Sequence, residues 1–135
     1  MIPEASNAYD FDTEEVVDRA DVQIKDSGGG TTGLVITVAS PMHADRKRWE
    51  FGLMNRKRAA IQKSNRLITS SAEEDFESET DRLAVATLGW TSKSTAFSRE
   101  AARTLYADPR RLHIRAQVKA AVDDLELFTR ACAPR

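Results

Sequence analysis

The stretch Thr87-Leu88-Gly89-Trp90 divides the sequence, because a helical apolar pattern stops there at a glycine. Glycine is common just after a helix C-terminus, where a positive φ is usual. Phe97-Ser98-Arg99-Glu100 follows after a polar loop. Ser98 is a good N-cap, and Glu100 is favourable in the first helical turn. The pattern therefore predicts one helix ending near residue 88, Gly89 at the C′ position and a new helix over about 98–106. We expect Trp90, at this turn, to pack on the last helix near Val122 and Leu125.

Two helices are predicted upstream of this turn. Ser70 and Ser71 are each followed three residues later by a glutamate, which is a capping box for a helix over about 71–88. Ser40-Pro41 can supply an N-cap and a first-turn proline for a helix over about 43–66. In the helix over about 43–66, apolar and small residues recur at helical spacing and predict a thin stripe facing the core. They are Trp49, Leu53, Ala60, Ile61, Ser64 and Leu67.

The N-terminal part predicts a β-hairpin over about 22–38. Val22–Lys25 and Leu34–Val38 alternate and are rich in β-branched residues, and a glycine-rich segment separates them. Residues 1–20 are acidic and poor in core-forming residues, so we expect a flexible tail. Asp108-Pro109 is an N-cap with a first-turn proline and predicts a last helix over about 109–132. The fold class is thus α+β and mainly helical, with a single domain over 21–135 built from a hairpin and three to four helices.

The charges are segregated although the net charge is only -1. Bases dominate 46–66, whereas acids dominate 70–82. A basic helix followed by an acidic one predicts pairing, either within the chain or with a partner. The bases are spread around the helix, so nucleic-acid binding is the weaker interpretation. Association into a homo-oligomer is a further alternative.

The sequence offers no reactive constellation. His43 and His113 have no partners at metal-ligand spacing, and Cys132 lies on the predicted apolar face of the last helix. We therefore expect a non-enzyme without cofactor or metal. No apolar run approaches the ~18–20 residues of a membrane span, so the expectation is a protein without a membrane segment.

Several of these features together resemble a known family. The hairpin is followed by a basic helix and an acidic helix, then by Gly89-Trp90, and then by Phe97-Ser98 through Tyr106. This order, over about residues 20–130, resembles the tail assembly chaperones of long-tailed bacteriophages. The resemblance implies a non-enzymatic protein of the host cytoplasm that binds the tape measure and tail tube proteins during virion assembly.

The partner-binding residues expected from this resemblance are apolar groups beyond what a core needs. They are Trp49, Phe51, Trp90, Phe97 and Tyr106. Two other functions stay open. One is a structural subunit retained in the virion, at the capsid or the head–tail junction, and the other is a small nucleic-acid-binding regulator.

Overall fold

The computed structural model describes residues 14–66 and 69–131. It confirms an α+β, mainly helical fold with an N-terminal hairpin. The strands are β1 (Glu14–Val16), β2 (Arg19–Lys25), β3 (Thr31–Ala39), β4 (Thr87–Trp90) and β5 (Thr129–Ala131). The α-helices are α1 (Ala44–Ser64), α2 (Ala72–Ala86), α3 (Arg99–Ala107) and α4 (Leu112–Val122), with short 3-10 turns at Pro109–Arg111 and Leu125–Phe128.

The predicted hairpin is present as β2 and β3, and it forms the larger sheet with β4 in the antiparallel order β2-β3-β4. The Asp26 carboxylate organises the hairpin turn by accepting hydrogen bonds from the backbone N–H groups of Gly28 and Gly30, at 2.9 and 2.8 Å. Gly29 between them has a φ of 86°, a conformation that favours glycine. The glycine-rich tip is therefore a defined turn.

The boundary of the predicted flexible tail is wrong at its C-terminal side. β1 pairs antiparallel with β5, and β2 begins at Arg19, so residues 14–20 belong to the folded domain. The N–H of Val17 also donates to the carbonyl of Phe128 at 2.8 Å. Residues 1–13 lie outside the described residues. The acidic sequence of this segment shows no strand pattern. The strands could not be predicted locally because their stability comes from pairing with distant segments.

The predicted role of Gly89 is wrong. Instead of ending a helix with a positive φ, Gly89 lies in β4 opposite Thr37 of β3. The helix ends at Ala86, and the chain passes directly from α2 into the sheet at Thr87. The reason is tertiary, since the open edge of β3 offers unpaired backbone groups that β4 satisfies.

The start of α1 also differs from the prediction. His43 is the N-cap, and its Nδ1 accepts a hydrogen bond from the N–H of Asp45 at 3.2 Å. Ser40, expected at that position, is buried and accepts from the N–H of Met42 at 3.1 Å in the turn before the helix. At the other helix starts, the capping box at Ser71 and the caps at Ser98 and Asp108 are present as predicted.

The last helix is shorter than predicted and ends at Val122 instead of about residue 132. Asp124 then caps the 3-10 turn Leu125–Phe128, and β5 follows. Since β5 must run alongside β1, the chain cannot continue as a helix. The turn places Phe128 in the core, where it is 2% exposed. Cys132 lies outside the described residues.

The core lies between the inner face of the larger sheet and helices α2, α3 and α4. Its members are apolar and mostly inaccessible to solvent. The sheet contributes Ile24, Ile36 and Val38, and the rest of the chain contributes Leu83, Ala84, Ala86, Ala102, Tyr106, Ile114, Val118, Ala121, Val122 and Phe128.

The predicted inner stripe of α1 is only partly realised. Trp49 and Leu53 are half-buried, but Ala60, Ile61 and Ser64 are exposed, and Leu67 lies outside the described residues. The single fully buried side chain of α1 is Arg46, which donates to the carbonyl of Ala39 at 3.0 Å. The helix is thus held to the sheet at its N-terminal end.

Candidate partner-binding cleft

An open cleft of about 310 Å³ lies beside the loop that follows β4. The sheet, the loop after β4, α3 and the start of α4 each contribute lining residues. Its lining residues are Leu34, Trp90, Ser92, Ser94, Thr95, Ala101, Thr104, Leu105, Asp108, Arg111 and Ile114.

Trp90 is fixed from two directions. Its backbone pairs with Ile36 at the end of the β ladder, and its indole Nε1 donates to the carbonyl of Thr95 at 2.9 Å. The Phe97 ring meets it edge-on, with ring centres 5.1 Å apart and planes at 88°. Edge-to-face aromatic pairs are favourable beyond the area that they bury. Trp90 and Phe97 therefore form one half-buried aromatic wall, of which Trp90 lines the cleft.

The loop at the rim is held by hydrogen bonds. The backbone N–H of Thr91 donates to the carbonyl of Val35 at 3.0 Å. The Thr91 hydroxyl accepts from the N–H of Val35 at 3.0 Å and donates to the carbonyl of Gly33 at 3.2 Å. A preformed cleft loses less conformational entropy on binding than a mobile one does.

Charged groups lie only at one side of the cleft. Asp108 caps the turn that leads into α4, and a hydrogen bond from the Arg110 side chain holds the pKa of its carboxyl below the usual value. Arg111 is exposed beside it. The cleft thus combines an apolar wall with a polar margin, which suits a bulky apolar side chain presented by another polypeptide.

The five residues expected to bind a partner are not all brought together. Trp90 and Phe97 meet, as described above. Trp49 lies apart, half-buried beside Val85 and Arg99. Phe51 is 57% exposed on α1. Tyr106 is fully buried, so it can support a surface but cannot contact a partner.

The expected packing of Trp90 near Leu125 is wrong. Leu125 is 67% exposed, and the α4 residue at the Trp90 cleft is Ile114, from the first turn of that helix. The sequence reasoning also missed Leu34 and the α3 pair Ala101 and Leu105. Their i, i+4 spacing beside Phe97 was the signal that could have indicated them.

No protein-family model, curated protein sequence or solved structure matches this chain. Among the described helices, none is both long and apolar enough to cross a membrane. Within residues 14–66 and 69–131, His, Cys, Asp and Glu side chains form no group of three that could hold a metal ion.

Replacing Trp90 by alanine should lower the free energy of unfolding by about 2–3 kcal/mol, which is below the usual cost at a fully buried position because Trp90 is half-buried. Chemical denaturation monitored by circular dichroism measures the change. Leu125→Ala is the control and should cost less than about 0.5 kcal/mol, since this side chain is 67% exposed. Equal losses for the two variants would contradict the assigned packing of Trp90.

Proposed function

We propose that this chain is a non-enzymatic tail assembly chaperone of a long-tailed bacteriophage. In this proposal, the cleft beside Trp90 binds an apolar helical segment of the tape measure or tail tube protein before polymerisation. One observation carries the proposal. The segments with the family resemblance, Gly89-Trp90 and Phe97 through Tyr106, are the ones that build the aromatic wall and one side of the cleft.

Such a function needs only reversible burial of apolar surface. A side chain entering the cleft would leave water and contact Trp90, Leu105 and Ile114. Masking an apolar segment in this way lowers the concentration of its aggregation-prone free form by mass action. Host cytoplasm, where tail proteins are synthesised, is the proposed location.

The proposal is tested by titrating the protein with peptides from the tape measure and tail tube proteins. Ala101→Met fills the cleft without removing a core side chain, and it should weaken binding about tenfold or more. Ala107→Met is the matched control, since Ala107 lies on the same helix but does not line this cleft. The control should bind like the unaltered protein. Equal binding by both variants would place the peptide site elsewhere.

Nucleic-acid binding is the alternative suggested by the exposed Arg and Lys side chains of α1. The salt dependence of binding separates it from the proposed function. Binding through six to ten phosphates weakens by about three to five decades between 50 and 200 mM salt. Burial of apolar surface is far less sensitive to salt and gives a negative heat-capacity change. Tight, salt-sensitive binding to duplex DNA without peptide binding would favour the regulator.

Mass spectrometry of purified phage particles separates the chaperone from the second alternative. A chaperone acts before polymerisation and should be absent from the mature particle. A structural subunit at the capsid or head–tail junction would be present in a fixed number of copies.

A further inference from the structure

The helices α1 and α2 extend beyond the core as a protrusion, which we define as residues 54–66 and 69–77. Every one of these residues is exposed. The two helices approach each other at the base of the protrusion, where Trp49 and Val85 line the same small cleft. Apart from Arg115, which lies over the Phe76 ring, the described part of the chain leaves the far ends of both helices uncovered.

An uncovered helix of this kind is poorly stabilised by itself. The 21 residues of α1 span about 31 Å at 1.5 Å per residue, yet its buried contacts lie near the N-terminal end. Helical segments shorter than about 12–15 residues are marginal in water without tertiary packing. The protrusion would gain stability from a partner that covers it.

Exposed apolar residues on α1 follow the spacing of a helix–helix seam. Phe51, Met54 and Ile61 occupy positions i, i+3 and i+10, with Arg58 at i+7, so all four share one face. The three apolar side chains are 57%, 48% and 37% exposed. On α2, Phe76 is 41% exposed. Phe51 lies at the base of the protrusion, and each arm thus offers apolar surface for burial.

The two arms carry opposite charges. The bases of the α1 arm are Arg56, Lys57, Arg58, Lys63 and Arg66, and the acids of the α2 arm are Glu73, Glu74, Asp75 and Glu77. Within the described residues, no ion pair joins α1 to α2, because the salt bridges of α1 are internal and those of α2 involve Glu79, Asp81 and Arg82. The expected pairing of these helices by charge is therefore not made by ion pairs among the described residues.

We propose that the protrusion is a dimer interface between two copies of this chain. A two-fold axis would place the basic arm of each copy against the acidic arm of the other, and each α1 face with Phe51, Met54 and Ile61 would be covered. Charge favours a second copy over other occupants. The α2 acids would repel a nucleic acid or an acidic protein, whereas a second copy presents the complementary charge to both arms. This dimer is independent of the proposed function, since no residue of the protrusion lines the Trp90 cleft.

The test measures molar mass by sedimentation across protein concentration and salt. The unaltered protein should shift from monomer to dimer with rising concentration, and high salt should weaken the dimer. K57E/R58E and E73R/E77R each place like charges across the interface and should sediment as monomers. Mixing the two variants should restore a dimer, because the reversed charges are complementary again.

K25E/K93E is the matched control, because it reverses two exposed charges outside the protrusion. It should dimerise like the unaltered protein, and circular dichroism should show unchanged helicity in all variants. A monomer for the unaltered protein at every concentration would overturn the proposal. A mixture of the two charge-reversed variants that stays monomeric would also overturn it.

Discussion

Replacing Arg115 by alanine should lower the free energy of unfolding by about 3–5 kcal/mol. The side chain is 9% exposed, and its guanidinium joins three helices from its position on α4. It donates to the Thr80 hydroxyl at 2.6 Å and to the carbonyls of Tyr106 and Phe76 at 3.0 and 3.3 Å. Its Cζ atom also lies 3.9 Å from the centre of the Phe76 ring.

The loss should be large because the acceptors remain buried after the guanidinium is removed. The Tyr106 carbonyl lies in the last turn of α3, where helix carbonyls lack partners within the helix, and Arg115 both satisfies it and complements the helix dipole. Burial lowers the pKa of Arg115, but arginine still keeps its charge at neutral pH.

Denaturant unfolding of Arg115→Ala, Arg115→Lys and Arg110→Ala checks this assignment. Lysine carries a point charge and cannot reproduce the planar fork, so Arg115→Lys should lose roughly half as much stability as alanine does. Arg110 is an exposed arginine paired with Asp108, and its replacement should cost less than about 1 kcal/mol. If Arg115→Ala were no more destabilising than Arg110→Ala, the guanidinium would not be the link between these helices.

The burial of Arg115 could not be predicted from the sequence. Val118, Ala121 and Val122 recur at helical spacing in α4, and the structure buries all three. An arginine in the same helix has no local signal of burial, since its acceptors come from residues 35 to 39 positions earlier and from the end of α3. Gln117 is similar, because its amide pairs with both backbone groups of Lys25, 92 residues away.

Local chemistry was predictable where it depends on neighbours in sequence. The caps at Ser71, Ser98 and Asp108 satisfy backbone donors two or three residues away, so the sequence alone identified them. Gly89 and the segment after Val122 depend instead on strands formed elsewhere, β3 and β1. Their helical patterns were overridden by pairing with these distant edges.

The candidate cleft could be predicted only in part, because some of its features depend on neighbours in sequence and others on distant segments. Trp90 and Phe97 are large apolar residues beside a polar loop, which made them candidates. Their edge-to-face contact and the place of Ile114 in the cleft lining depend on the path of β4 into the loop. Tyr106 was misjudged because an aromatic residue on a short helix has the same spacing whether it faces a partner or the core.

The burial of Tyr106 leads to a pH dependence of stability. Its hydroxyl donates to Thr87 Oγ1 at 2.6 Å, while the Thr87 hydroxyl donates to the carbonyl of Leu83 at 2.8 Å. Burial raises the pKa of the phenol from 10.0 to about 12, although the hydrogen bond with Thr87 opposes part of this shift. The folded chain therefore holds the phenol proton more tightly than the unfolded chain does.

The direction of the effect follows from this raised pKa. Below pH 10 both states keep the proton, and the full contribution to stability is present. Between pH 10 and about 12 the unfolded chain loses its proton first, so the free energy of unfolding falls as the pH rises. A difference of about two pKa units corresponds to a loss of roughly 3 kcal/mol over this window.

Comparing the unaltered protein with Tyr106→Phe isolates this group, because all other titrations are shared. At neutral pH the variant should be less stable by about 1–2 kcal/mol, since Thr87 keeps its bond to Leu83 but loses the phenol donor. Between pH 10 and about 12 its stability should fall less steeply than that of the unaltered protein, so the two curves should converge and then cross near the upper end of this window. Phenolate absorbance gives an independent check, because the chain has only Tyr9 and Tyr106. Tyr106 should ionise late in the folded protein, and an ordinary midpoint near pH 10 for both tyrosines would show that the Tyr106 phenol is open to solvent.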